Sequence, residues 1–417
     1  MKLTRIGALA SVAVLTFAAC SGTGTTGGEK GTIKIAIELP MEGSELAASQ
    51  PIVNGIRLAI KDAGGSAGGY TIVNDDALVF DDAVDGAHNE QQGATNVNTI
   101  VQDPDIVAII GPLNSSVAKA QIPISNEAGI LQCSPANTNP GLTKGEPAKE
   151  LRPSGKPNNY IRVVATDDVQ GPAAAKYLFE NLGAKSVYVI DDTETFGKGV
   201  ADAFQADFES RGGTVVQRDG VPKTTTDYTS ILTAAAAKNP EAIYFGGVTA
   251  TGGARILKAA VQAGLGDVPY VGPDGINDGS GDTPDSFLNL AGADAANSYS
   301  TLAAIGDFPQ KADFDAAYKE EYGIDATGYA GMGYACAQIV IDAITRAAET
   351  NPADRAALRE AVRAAGTATD VTYGTILGDI TFDANGDTSQ KIISIYKYDE
   401  ATNNWAFLEQ IDYAAGG

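Results

Sequence analysis

Two apolar runs of strand length, IVAII and ILQCS, flank a helical pattern within residues 106–140, IVAIIGPLNSSVAKAQIPISNEAGILQCSPANTNP. Each run stops in a loop of small polar residues. The helical pattern covers 117–128 and follows Asn114, Ser115 and Ser116. Side-chain oxygens of these types accept the unpaired backbone N–H groups of a helix start. A strand–loop–helix–strand unit of this length predicts two parallel strands joined by a right-handed crossover. In such sheets ligands bind beyond the carboxyl ends of the strands. Ser115 and Thr138 then fall at the ends of neighbouring strands. There hydroxyls, free N–H groups and a helix dipole can meet an anion such as a carboxylate. Either residue alone is an ordinary cap or turn type; two such loops in one unit carry the argument.

A chain of 417 residues exceeds one typical core, so two domains are expected. Its 52 Asp and Glu against 29 Lys and Arg give a net charge of −23. That balance excludes sequence-independent nucleic-acid binding, which needs a basic face. The start of the chain carries a targeting pattern: Lys2 and Arg5, then an apolar stretch over 6–19 that is short for a membrane span. Phe17-Ala18-Ala19-Cys20 resembles a bacterial lipobox, with Phe17 where Leu is usual. This predicts a lipoprotein signal peptide over 1–19, lipidation of Cys20 and a flexible tether over 20–30. A Gly/Ser-rich tether of this kind reaches about 17 Å. Cys133 and Cys336 have small or apolar neighbours and read as buried packing residues; whether they pair is left open.

Along the chain, strand and helix patterns alternate. A strand over 32–37 precedes a helix with Pro51 in its first turn, a strand or hairpin over 71–82, and a helix over 87–101. A second alternating series begins at Gln170 and includes a helix over 199–211. Helices are predicted at 312–322, 329–348 and 353–365, and a final strand pair turning at Asn385-Gly386. Two such series predict an α/β chain of two doubly wound, Rossmann-like lobes. The late helices return to the first lobe and the last strands to the second, giving three crossings and a cleft. The lobes are then 31–164 with 303–392, and 165–302 with 393–417.

Much catalytic chemistry is missing. His88 is the sole histidine and reads as part of an exposed helix start, which argues against a His triad or His metal cluster. There is no GxSxG, Walker loop or GxGxxG. Residues 383–394 begin like a calcium loop but lack Gly at the sixth position and Glu at the twelfth. No metal, cofactor or enzymatic constellation is expected.

The ordered motifs IIGPLNSS, GILQCSPANTNPGLT, QGPAAAKYLFENLGAKSVYVIDDTETFGKG, YFGG, GPDG and TFDANGD cover most of residues 32–399. Together they resemble the solute-binding proteins of branched-chain amino acid ABC transporters, the leucine/isoleucine/valine type. The resemblance implies the type 1 periplasmic binding protein fold, with a three-strand hinge and a ligand clamped between the lobes. It places Ser115 and Thr138 on a ligand α-carboxylate and Asp274 of GPDG on the α-ammonium. Leu113, Asn137, Phe196, Val248 and Tyr329 complete the implied ligand set. Phe196 and Val248 stand where the family has Tyr, and Ala48 where an aromatic is usual. Fewer rings imply a larger or differently shaped side-chain pocket. Glu42 and Glu45 read as exposed; reaching the pocket, they would favour a basic or polar group. The implied protein is extracytoplasmic, lipid-anchored and monomeric, and delivers an amino acid, branched-chain or another apolar L-amino acid, to an ABC permease and its ATPase. An amide, urea or aromatic acid in the same fold is an alternative, as is a sensory ligand-binding module.

Overall fold

A computed structural model of the protein describes residues 30–153 and 155–413. The predicted signal peptide, Cys20 and all of the tether except Lys30 lie outside the described residues. Two parallel-rich sheets organise the rest. The first runs in the order Ser66–Ala67, Tyr70–Val73, Thr32–Leu39, Ile106–Ile110, Leu131–Ser134, Tyr160–Arg162, and Val79–Asp81 also pairs with Thr32–Leu39. Ile106–Ile110 is buried along its whole length. That suits a continuous apolar run in a sheet covered on both faces. The second sheet runs Thr214–Gly220, Ser186–Asp191, Ala242–Gly246, Tyr270–Gly272, Ser298–Leu302, Ile392–Asp399, Asn404–Asp412. Its last two strands are antiparallel to their neighbours.

Helix Leu46–Asp62 lies directly on helix Gly328–Glu349. Glycine makes the approach possible: a Cβ on Gly55 would sit 2.1 Å from Ala330 O, and one on Gly333 2.6 Å from Ile52 O. A disulfide between Cys133 and Cys336 ties strand Leu131–Ser134 to helix Gly328–Glu349. Both cysteines are buried, as read, and the open question of pairing is answered by the bond.

The chain passes between the sheets after Arg162, after Leu302 and before Ile392. The three crossing segments bond to one another. Ala165 N–H donates to Ala303 O (2.7 Å), Ser394 Oγ donates to Ala304 O (2.8 Å), and Gly306 N–H donates to Ser394 Oγ (2.8 Å).

Several sequence readings need correction. The segment over 71–82 is no hairpin; Tyr70–Val73 and Val79–Asp81 both join Thr32–Leu39 in parallel. Pro51 lies inside helix Leu46–Asp62, which starts five residues before it. The helix read from 87 starts at Glu90, where Asn89 Oδ1 accepts from Gln92 N–H at 2.9 Å. His88 before it is not exposed but 3% accessible. The helix read from 199 starts at Thr195, which brings Phe196 into its first turn. The final strand pair around Asn385-Gly386 reduces to a single bridge, Phe382 to Thr388. The turn instead docks on the first sheet: Arg162 N–H donates to Gly386 O, and Arg162 Nε to Asp387 Oδ1 at 2.7 Å. Ile392–Asp399 is thereby released to the second sheet.

Candidate functional site

The site forms where both sheets end. Strand Ile106–Ile110 delivers its chain into Leu113, Asn114 and Ser115, the last being the first residue of helix Ser115–Glu127. Asn114 makes no side-chain cap, so the first N–H groups of this helix have no partner from it. From the second sheet, Ser186–Asp191 leads to Phe196, Ala242–Gly246 to Val248, and Tyr270–Gly272 to Asp274. One cavity between the lobes is lined by Leu113, Ser115, Phe196, Val248, Asp274 and Tyr329, six of the eight residues singled out from sequence.

Asn137 and Thr138 do not line it. Asn137 turns into the first lobe, where Nδ2 donates to Leu113 O (2.8 Å) and Oδ1 accepts from Tyr160 Oη (2.8 Å). It braces the Leu113 loop from behind. Thr138 is buried beside Asp167, whose N–H donates to Thr138 O at 2.9 Å.

Asp274 is the focus of the charge. It is buried, and Oδ2 accepts from Tyr329 Oη at 3.1 Å. Its N–H donates to Gln170 Oε1 (3.2 Å), which Thr301 Oγ1 also reaches at 2.9 Å. Oδ1 has no partner. Burial pushes this carboxyl up to about 6, against the hydrogen bonds that favour its charge. Neighbouring Asp167 is pushed up to about 8 by burial and by the Asp274 charge. Asn114 Oδ1 and Glu45 Oε2, on two other residues of the cavity wall, are also buried without partners. Leaving a buried polar group unpaired costs about 1–3 kcal/mol, so several together mark a place where a polar ligand fits.

Thr249 and Asp278 also line the wall and were not singled out from sequence; Asn114, read as a helix cap, and Glu45, read as exposed unless it reached the pocket, line it too. Glu42 is exposed, but Glu45 is buried, with Oε1 2.6 Å from His88 Nδ1. Across the cleft, His88 Nε2 lies 3.8 Å from Glu194 Oε2, and Glu194 lies 3.4 Å from Lys223. Lys223 Nζ also donates to His88 O at 3.3 Å. These contacts join the first lobe to the second. Ligand atoms of His88, Glu90 and Glu194 lie within 4.8 Å of one another, but Lys223 already brings a cation to both carboxylates.

Burial alone would lower the His88 pKa; Glu45 and Glu194 outweigh it and push the imidazole up to about 10. A raised value means the stabilisation is complete below the ordinary His range, declines as pH rises above it, and is gone once pH passes about 10. As the sole histidine, His88 gives one imidazole signal in a heteronuclear NMR titration. That signal should stay protonated through pH 9; a midpoint near 6.5, the free value, would contradict the bridge.

Known proteins resemble this chain along most of its length. A family profile described as periplasmic binding protein matches residues 32–403. The chain belongs to the periplasmic binding protein family. The leucine-specific-binding protein of Salmonella typhimurium is 30% identical to this binding protein over 366 residues, covering 85% of this chain and 88% of its own. A Leu/Ile/Val-binding protein of Rhizobium johnstonii is 27% identical over 381 residues, 88% of this chain and 92% of its own. Among solved structures, a leucine binding protein from Thermotoga maritima superposes with a TM-score of 0.77 at 26% identity, covering 92% of this chain and all of its own. A Rhodopseudomonas palustris solute binding protein in complex with benzoate shares the fold, with a TM-score of 0.74 at 19% identity over 91% of this chain and 96% of its own. The fold is the type 1 periplasmic binding protein fold, as read from sequence.

Proposed function

We propose that this protein is the extracytoplasmic solute-binding component of an ABC importer and holds the zwitterionic head group of an amino acid between its lobes. The observation that carries the reading is a donor-bearing wall set against a buried, unpartnered acceptor in one cavity. Ser115 and the start of helix Ser115–Glu127 offer donors on one wall, and Asp274 Oδ1 offers a buried acceptor on the other. A carboxylate suits the first and an ammonium the second. Relatives named for leucine, isoleucine and valine support the same head group. Leu113, Phe196, Val248 and Tyr329 shape the site around it, and Asn137 positions Leu113. The lobes, 31–164 with 303–392 and 165–302 with 393–417, close about the three crossing segments, and the closed form engages the permease. Cys20 anchors the monomer to the membrane through lipid, and no cofactor or catalytic step is involved.

Ser115→Ala tests the carboxylate wall. It should weaken binding of an L-amino acid by about 1–3 kcal/mol in a calorimetric titration. Unchanged affinity would remove Ser115 from the head-group site.

A further inference from the structure

We propose that this cavity is built for a ligand side chain that donates a hydrogen bond, with Glu45 and Asp278 as the accepting groups. The inference rests on the head-group reading above and deepens it. Three carboxyl groups line the cavity: Glu45, Asp274 and Asp278. A zwitterion brings one ammonium, which Asp274 takes. An apolar side chain would leave the other two facing hydrocarbon.

Glu45 spends only one oxygen on His88; Oε2 is buried and has no partner. Its charge is already balanced by the His88 cation, so what remains is an acceptor more than a bare charge. Asp278 is buried, and Oδ1 accepts from Phe287 N–H at 2.9 Å. Burial, with a smaller contribution from the Glu45 charge, pushes its carboxyl up to about 7. Thr249 also lines the cavity. The opposite trend appears where rings were expected: Ala48 and Val248 contribute little apolar surface, and Phe196 alone supplies an aromatic face from those three positions. A site that hydrogen-bonds a substrate group rejects the analogue lacking it far more strongly than an apolar pocket rejects an extra methylene. The chemical class is therefore an amino acid whose side chain carries a hydroxyl, amide or amine.

Isosteric pairs isolate this effect, because size and head group are held constant. The purified protein, unfolded and refolded with its disulfide intact to remove carried-over ligand, is titrated calorimetrically with threonine against valine and asparagine against leucine. The donor-bearing member of at least one pair should bind about tenfold tighter or more. A double variant, Glu45→Leu with His88→Leu, removes acceptor and cation together, a replacement that buried ion pairs tolerate. It should shift the ranking toward valine and leucine. The wild-type comparison decides the matter even if that variant does not fold. Valine and leucine binding as tightly as their isosteres, or tighter, overturns the side-chain inference and leaves the head-group reading standing. A folded double variant with an unchanged ranking overturns the assignment to Glu45. No binding of any amino acid overturns both.

Discussion

Asp274→Ala should weaken binding of an L-amino acid by about 3–5 kcal/mol, a loss of at least a hundredfold. The carboxylate is buried, one oxygen is held by Tyr329, and the other has no protein partner. Of the other carboxyl groups nearby, Glu45 is engaged by His88, Asp278 Oδ1 accepts from Phe287 N–H, and Asp167 does not line the cavity. The same carboxyl sets a pH dependence. Burial raises it to about 6 in the empty cleft, whereas a bound ammonium favours its charged form and lowers it. Affinity should therefore be level above about pH 6 and fall as pH drops through that value. Calorimetry of wild type and variant between pH 5 and 8 checks both statements. Near-normal affinity of Asp274→Ala, or affinity that rises on acidification, would remove Asp274 from the ammonium site.

The second large effect concerns stability. Cys133 and Cys336 are separated by 203 residues, so their bond closes a long loop of the unfolded chain. The chain-entropy argument gives about 5 kcal/mol for a loop of this size, and removal of native disulfides typically costs about 2–5 kcal/mol. Replacing both cysteines by Ala should lower the urea midpoint markedly. Ligand affinity at 25 °C should change little, because neither sulfur lines the cavity. An unchanged midpoint would show that packing of helix Gly328–Glu349 alone fixes that part of the first lobe.

Sequence made legible what is written locally. The run IVAII followed by Asn-Ser-Ser placed a strand end and helix start, and Ser115 indeed stands there in the cavity wall. Asp274 carried no local signal beyond its GPDG motif and was reached through family resemblance. What escaped depended on partners far along the chain. His88 looked exposed among acidic and polar neighbours, yet it is buried against Glu45, 43 residues away, and near Glu194 of the opposite lobe. Asp278 sits in a polar loop with nothing to distinguish it from a turn residue. Asn137 lies in the expected loop, but its amide turns toward Tyr160 and Leu113, a choice of face that loop sequence does not encode. The Asn385-Gly386 turn looked like a hairpin because two alternating runs flank it. Its docking against Tyr160 and Arg162 decided otherwise: a Cβ on Gly386 would lie 2.0 Å from Tyr160 O.

The central claim is that the cleft recognises both charges of an amino-acid head group at once. Its most direct test is a three-way calorimetric comparison on the refolded protein. The ligands are the best-binding L-amino acid, the 2-hydroxy acid with the same side chain, and the methyl ester with the same side chain. Tight one-to-one binding of the amino acid, with losses of at least about a hundredfold for both analogues, is the predicted result. A hydroxy acid that binds as tightly as the amino acid would contradict it, because the Asp274 wall would then face no ammonium.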